Sequence, residues 1–161
     1  VCAAPDTCID GCTSSLTKNG AKKVYAVDVG ECALPPELIA DERVVVKDKT
    51  NARYLKREDI GEECDLAVID VSFISLTLIL PAAKEILKSS GDIIALMKPQ
   101  FEVGKKALGK SGIVTNAKER EKSIEKIREC AKALDLVERD LTSAPQRQNK
   151  NLEFLILLSK K

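Results

Sequence analysis

Three charged side chains stand where short apolar runs end, which is where α/β proteins place many of their reactive groups. Asp28 closes the run VYAVD, Asp70 closes LAVID and Lys98 closes IIALMK. Because the carboxyl ends of parallel strands meet at one edge of a sheet, we expect these groups beside a common crevice. A lysine near a carboxylate in a partly desolvated site can act on the proton of a hydroxyl group. The alternative is a structural ion pair.

The absence of histidine narrows the chemistry further. A chain of 161 residues without histidine has no Ser-His or Cys-His nucleophile pair and no imidazole ligand for zinc. Proton transfer would then depend on Lys, Asp, Glu, Cys, Ser or Tyr. The six cysteines include no CxxC pair, so we expect reduced, packed thiols, no metal site and a cytoplasmic location.

The net charge of +1 conceals a basic segment. From Lys98 to Lys132 ten basic residues stand against five glutamates, a local charge of +5. This asymmetry favours a polyanionic partner, although a solvated helix with paired charges has the same composition. No apolar run approaches the roughly eighteen residues that a membrane span needs, so we expect no membrane partner.

Short apolar runs alternate with helical patterns along the chain, which is typical of βα units wound around a parallel sheet. Asn116 is a candidate cap for a helix whose apolar stripe ends at Leu134. A second helix is predicted over residues 79–88, closed by Gly91. The predicted strands cover residues 24–29, 44–46, 66–71, 93–98 and 152–159, and two polar loops cover residues 100–116 and 142–151.

Four sequence blocks carry a specific resemblance. They are TNARYL (50–55), DLAVIDVSFISL (65–76), KPQFEVGKKALGKSGIV (98–114) and NLEFL (151–155). These blocks resemble the signature of the TlyA family, also called hemolysin A. That family is similar to FtsJ-type methyltransferases, which transfer a methyl group from S-adenosylmethionine to a ribose 2′-hydroxyl of ribosomal RNA. The resemblance implies a Rossmann-like methyltransferase fold, with a mostly parallel twisted sheet, an antiparallel last strand and helices on both faces.

The resemblance also implies a set of catalytic residues. FtsJ-type enzymes use a Lys-Asp-Lys-Glu tetrad, and three of its members correspond to Asp70, Lys98 and Glu153. Lys98 would take or polarise the proton of the 2′-hydroxyl, and the two carboxylates would orient its ammonium group. Transfer from a bound sulfonium would then depend mainly on positioning.

The resemblance places the cofactor at the neighbouring strand ends. Asp28 would hold the ribose of S-adenosylmethionine, and Asn51 with Ala52 would lie beside its adenine. The family's glycine-rich turn, of the form GxSxGGFTD, has little counterpart in residues 1–20. An alignment from the start of the chain places Cys2 at the first glycine of this turn. An alignment backward from Gly20, which differs by four residues, makes Gly11 the candidate glycine of the cofactor loop.

The chain offers no counterpart for the upstream lysine of the tetrad or for the family's small N-terminal RNA-binding domain. We therefore expect residues 1–161 to form one methyltransferase-type domain, without that N-terminal domain and the start of the first strand region. The resemblance implies a ribosomal RNA or ribosomal subunit as the partner and S-adenosylmethionine as the cofactor.

Three alternatives to this function can be compared by the sequence features that each one requires or explains. A non-catalytic RNA-binding module on a degenerate methyltransferase fold would explain the altered glycine turn. A dehydrogenase would need a GxGxxG turn after a strand, and none occurs. A membrane-lytic protein would need an apolar span or a wide apolar helix face, and the predicted basic helix has only a narrow stripe.

Overall fold

The computed structural model describes residues 2–3, 9–104, 107–109, 111–145 and 150–161. Seven strands in these residues form a single sheet in the order β3-β2-β1-β4-β5-β7-β6. The strands are β1 (Cys2–Ala3), β2 (Val24–Val27), β3 (Val44–Lys47), β4 (Cys64–Ile69), β5 (Leu87–Met97), β6 (Leu136–Ser143) and β7 (Phe154–Lys160).

Strand directions follow the expected methyltransferase pattern. Strands β1 to β5 pair in parallel, whereas β7 lies antiparallel between β5 and β6. The prediction of a mostly parallel sheet with an antiparallel last strand is therefore confirmed. Parallel strands need cover on both faces, which is why β2 is buried at all four of its positions.

Helices cover both faces of this sheet. On one face, Val24 and Ala26 of β2 pack with Ile9, and on the other face Tyr25 and Val27 join the larger core cluster. The helices are α1 (Ile9–Lys18), α2 (Pro36–Ile39), α3 (Arg57–Ile60), α4 (Leu80–Ile86), α5 (Pro99–Glu102) and α6 (Ala117–Ala133), with 3₁₀ turns at Ala52–Tyr54 and Leu76–Leu78. None of the described helices is long and apolar enough to cross a membrane.

The long helix predicted after Asn116 is confirmed. The Asn116 side chain accepts a hydrogen bond from the Lys118 amide and caps α6, which ends at Ala133. Ile127 and Ala131 on its apolar stripe are buried against the sheet. The helix propensity, the cap residue and the apolar stripe all agree for α6, so the sequence alone located this helix within one or two residues.

The sequence prediction did not include helices α1, α2, α3 and α5, and it differs from the structure at two further elements. Gly91 was expected to end the helix over residues 79–88, but α4 ends at Ile86 and Gly91 lies inside β5. Strand β5 contains an irregularity there, because Cys64 pairs with Leu87 while Leu66 pairs with Asp92. A Cβ at Gly91 would lie 3.0 Å from the Leu87 side chain, so the glycine allows this close backbone approach. Strand β6 was not predicted, since its sequence LVERDLTS is largely polar, as an edge strand allows.

Candidate active site

The sheet register brings the three predicted catalytic residues to one edge. Ile69, the last residue of β4, pairs with Ala95 of β5, and Met97 pairs with Phe154 of β7. The next residue along β4 is Asp70, the next along β5 is Lys98, and the residue before β7 is Glu153. A cavity of about 320 Å³ contains all three in its lining. Its lining residues are Asp70, Leu96, Lys98, Pro145, Lys150, Asn151 and Glu153.

An ion pair holds the lysine in this cavity. The Lys98 Nζ lies 2.6 Å from Asp70 Oδ1, and the two side chains are only 11% and 14% exposed. The contact has the geometry of an ion pair rather than of a directed hydrogen bond, and Lys98 instead donates a hydrogen bond to Ser72 Oγ at 3.0 Å. Because water is largely excluded, screening of the two charges is weak and the ammonium group is held in place.

The third predicted catalytic residue is held by a contact that the sequence did not predict. Glu153 Oε1 accepts a hydrogen bond of 2.9 Å from the Gln100 side-chain amide. Gln100 lies two residues after Lys98, in α5, so a single short segment contributes both groups.

A second cavity lies on the other side of the segment that follows β4, with a volume of about 170 Å³. Asp28 lines it, is 3% exposed and accepts a 2.7 Å hydrogen bond from the Gly30 amide. A buried carboxylate beside apolar walls suits the hydroxyls of a ribose and the flat face of a base. The lining residues are Val27, Asp28, Val29, Thr50, Asn51, Ala52, Val71, Ser72, Ile74 and Ile79.

The predicted cofactor residues divide into two groups. Asn51 and Ala52 line the smaller cavity together with Asp28. The Asn51 side-chain oxygen accepts a hydrogen bond from the Arg53 amide, which fixes the 3₁₀ turn at that wall. The structure does not bring Gly11 to this cavity: the residue is exposed in α1 and lines a separate groove with Pro35. Most of the link from β1 to α1, residues 4–8, falls outside the described residues.

The two segments that follow β4 and β5 are joined at several points, which we call the strand-end clamp (residues 70–76 against residues 98–102). Next to the Lys98 contacts with Asp70 and Ser72, the rings of Phe73 and Phe101 lie 5.1 Å apart between centroids. Phe73 has a positive φ of 63° and is 90% exposed. Such backbone strain persists only where the surroundings over-determine it, and it is frequent at functional sites.

Glu102 closes the far end of the clamp. Its side chain is 1% exposed and accepts hydrogen bonds from Ser75 Oγ at 2.5 Å, the Leu76 amide at 2.7 Å and Lys126 Nζ at 3.0 Å. A buried carboxylate is stable only when several donors satisfy it, so these contacts tie both loops to α6. The sequence analysis did not single out Glu102, because nothing local in KPQFE shows that the side chain is buried.

Asn151 anchors the loop that follows α5. Its side-chain oxygen accepts a hydrogen bond from the Val114 amide at 2.8 Å, and its amide donates to the Gly112 carbonyl at 3.1 Å. Asn151 lies two residues before Glu153 and lines the same cavity, so these hydrogen bonds bring the loop to that cavity. The basic side chains Lys105, Lys106 and Lys110 of this loop lie outside the described residues.

Three of the cysteine thiols in the described residues are poor nucleophiles. Burial and the neighbouring Asp48 carboxylate raise the pKa of Cys32 to about 12, and burial also raises the pKa of Cys64 and Cys130. These three side chains are therefore protonated at neutral pH. Among the described residues no group of three or more His, Cys, Asp or Glu side chains could hold a metal ion.

Comparison with known proteins agrees with this geometry. Residues 1–160 match the family described as FtsJ-like methyltransferase. The chain is 41% identical over 150 residues to the Bacillus subtilis protein YqxC, provisionally named an rRNA methyltransferase, covering 92% of this chain and 53% of that protein. It is 46% identical over 114 residues to TlyA of Mycobacterium tuberculosis, named a 16S/23S rRNA (cytidine-2′-O)-methyltransferase, covering 71% of this chain and 42% of that protein.

The chain thus spans about half the length of these curated relatives. Among solved structures, a protein of Lactococcus lactis provisionally called a hemolysin superimposes with a TM-score of 0.91 at 39% identity. The match covers 99% of this chain and 78% of that protein.

Replacing Glu102 with alanine tests the strand-end clamp. The change leaves Ser75 Oγ and the Leu76 amide without their acceptor, so we expect the free energy of unfolding to fall by about 2–4 kcal/mol in urea titrations. Glu119→Ala is the matched control: its carboxylate forms a surface ion pair with Lys122, and its loss should cost less than about 1 kcal/mol. Equal losses in the two variants would contradict the clamp.

The raised pKa of Cys32 predicts slow alkylation. Because the thiolate is the reactive form, labelling of Cys32 by iodoacetamide should keep rising between pH 7 and pH 9.5 without reaching a plateau. Peptide mapping by mass spectrometry follows this residue separately from the other five cysteines. The urea-unfolded chain provides the reference, and a folded-state rate equal to that reference at pH 8 would show that the thiol is not held protonated.

Proposed function

The chain belongs to the FtsJ-like methyltransferase family, and on that premise we propose that it transfers a methyl group from S-adenosylmethionine to a ribose 2′-hydroxyl of ribosomal RNA. The observation that carries the proposal is the Lys98–Asp70 ion pair, which lines one cavity with Glu153 and lies directly beside a second cavity lined by Asp28. The name of the Mycobacterium tuberculosis relative supports ribosomal RNA as the substrate.

The smaller cavity fits the nucleoside part of the cofactor. Asp28 would accept hydrogen bonds from the ribose hydroxyls, while Val29 and Ala52 would contact the adenine. Cofactor and substrate would then approach each other at residues 70–72, which separate the two cavities. The non-catalytic alternative predicts that side chains fill the space beside Asp28, whereas the described residues leave a cavity there.

The methyl transfer needs little from the protein beyond positioning of the two reactants. S-adenosylmethionine supplies a methyl group that is already electrophilic on its sulfonium. Lys98 would orient the incoming 2′-hydroxyl and take or polarise its proton, and Asp70 would keep the ammonium group aimed at that oxygen. Glu153 directly precedes β7, which lies on the other side of β5 from β4, and its carboxylate would be the third charged group around the hydroxyl.

The surroundings of the larger cavity suit an RNA strand. Lys150 lines the cavity and can meet a phosphate, and the exposed ring of Phe73 beside the site offers a face for stacking a base. The basic charges of α6 contribute less, because Lys122, Lys126 and Arg128 already form ion pairs with glutamates. RNA binding would therefore concentrate on the loops around the strand ends.

Lys98→Met tests the catalytic assignment in the full-length protein. The substitution removes the ammonium group but keeps the length of the side chain, so transfer of tritiated methyl groups to ribosomal RNA should fall at least about 10³-fold. Calorimetry should show cofactor affinity close to that of the native protein. Lys88→Met, which breaks an exposed ion pair with Asp65, is the control and should transfer normally. Near-native transfer by Lys98→Met would refute the assignment.

Asp28→Ala tests the cofactor assignment. Loss of the carboxylate removes the acceptor for the ribose hydroxyls, so calorimetry should show S-adenosylmethionine binding weakened by at least about tenfold. Asp28→Asn keeps the size of the side chain and separates binding from folding, and circular dichroism checks both variants. The exposed Asp65→Ala serves as the control. Unchanged affinity in both Asp28 variants would show that the cofactor binds elsewhere.

A further inference from the structure

We infer that Gln100 is a positioning residue for the reaction, because its side-chain amide holds the carboxylate of Glu153, which lines the same cavity as Lys98. The inference rests on the proposed function. Gln100 does not line either cavity, so it would act through Glu153 rather than on the substrate.

The geometry shows that the side chain of Glu153 is held separately from its backbone. The Glu153 carbonyl accepts a 2.9 Å hydrogen bond from the Ala144 amide just beyond β6, which fixes the backbone. The carboxylate is fixed by Gln100, whose Nε2 donates to Oε1 at 2.9 Å. Pro99 begins α5 directly after Lys98. The two residues that carry the Lys98 ammonium group and the Gln100 amide are therefore two positions apart in the same helical turn.

The side-chain oxygen of Gln100 is evidence against a role in packing alone. Gln100 Oε1 is buried and has no hydrogen-bond partner among the described residues. Buried acceptors without partners are rare, so packing alone does not explain the orientation of this amide. Among the described residues, the hydrogen bond to Glu153 is the one that orients the Gln100 side-chain amide.

A neutral donor suits this position because of the charges around Glu153. Lys98 and Asp70 face the same cavity from the ends of β5 and β4, and Lys150 faces it from the segment before β7. A second cation at position 100 would compete with Lys98 for the carboxylate, and an acid there would share a proton with it. An amide donates a hydrogen bond to the carboxylate without adding another charge to this cavity.

Two substitutions in the full-length protein test this role. Gln100→Met keeps the size but loses the donor, so kcat should fall about tenfold while KM for cofactor and RNA stays unchanged. Gln100→Glu places two carboxylates in contact, so the acid limb of the rate–pH profile should move about one pH unit upward. The control is Ser159→Ala, which removes a 2.6 Å hydrogen bond to Asp92 at the opposite end of the β5–β7 pair. If Gln100 only stabilised the fold, its substitution would lower the rate equally at all pH values, as in the control.

A second readout does not depend on activity. The chain has three glutamines, at positions 100, 146 and 148, so the Gln100 side-chain amide signals can be assigned by NMR with the Gln100→Met variant. These signals should shift with pH in the native protein and stop doing so in Glu153→Gln.

The possible outcomes separate the two proposals. If the native protein transfers no methyl group, the proposed function fails and the NMR titration alone decides whether Gln100 holds Glu153. If the native protein is active, native-like kinetics and pH profiles in both Gln100 variants overturn the inference. So does an amide signal that is unaffected by Glu153→Gln.

Discussion

The ion pair between Lys98 and Asp70 is the contact on which the rest of the site depends. Two charges that are 11% and 14% exposed lose most of their hydration, and a buried pair of this kind is stable only when the geometry around it is well satisfied. The strand-end clamp supplies that geometry through the Ser72 hydroxyl and the buried Glu102 carboxylate. The sheet register supplies the rest, because parallel β4 and β5 necessarily end side by side.

The same topology explains why two cavities meet at this point. The strand order reverses direction between β1 and β4, and open α/β sheets bind ligands in the crevice beyond such a reversal. Asp28 follows β2 and Asp70 follows β4, two strand spacings away, which is about 10 Å. At that distance, a nucleoside held by Asp28 as proposed would reach toward the Lys98 cavity without a change in the sheet. Antiparallel β7 then delivers Glu153 from the other side.

Strand ends predicted Asp28, Asp70 and Lys98, because an apolar run followed by a charge is visible in a linear sequence, and the family resemblance added Glu153 at the entry of the last strand. The structure brings Asp28 to one cavity and the other three to the next. The residues around them were not predictable in this way. Gln100, Glu102 and Phe73 matter through contacts with segments 24 to 53 residues distant or through local backbone strain, neither of which has a local sequence pattern. The same reason explains Gly91, whose place in β5 follows from strand pairing rather than from its helix-ending propensity.

A double-mutant cycle in the rate of methyl transfer tests most directly whether the ion pair acts as one unit. Single-turnover rates would be measured for the native full-length protein, Lys98→Met, Asp70→Asn and the double variant, with saturating cofactor and RNA. If Asp70 works only by holding Lys98, the double variant should be no slower than Lys98→Met alone. Losses that simply multiply in the double variant would show that the two residues act independently, and would contradict the account.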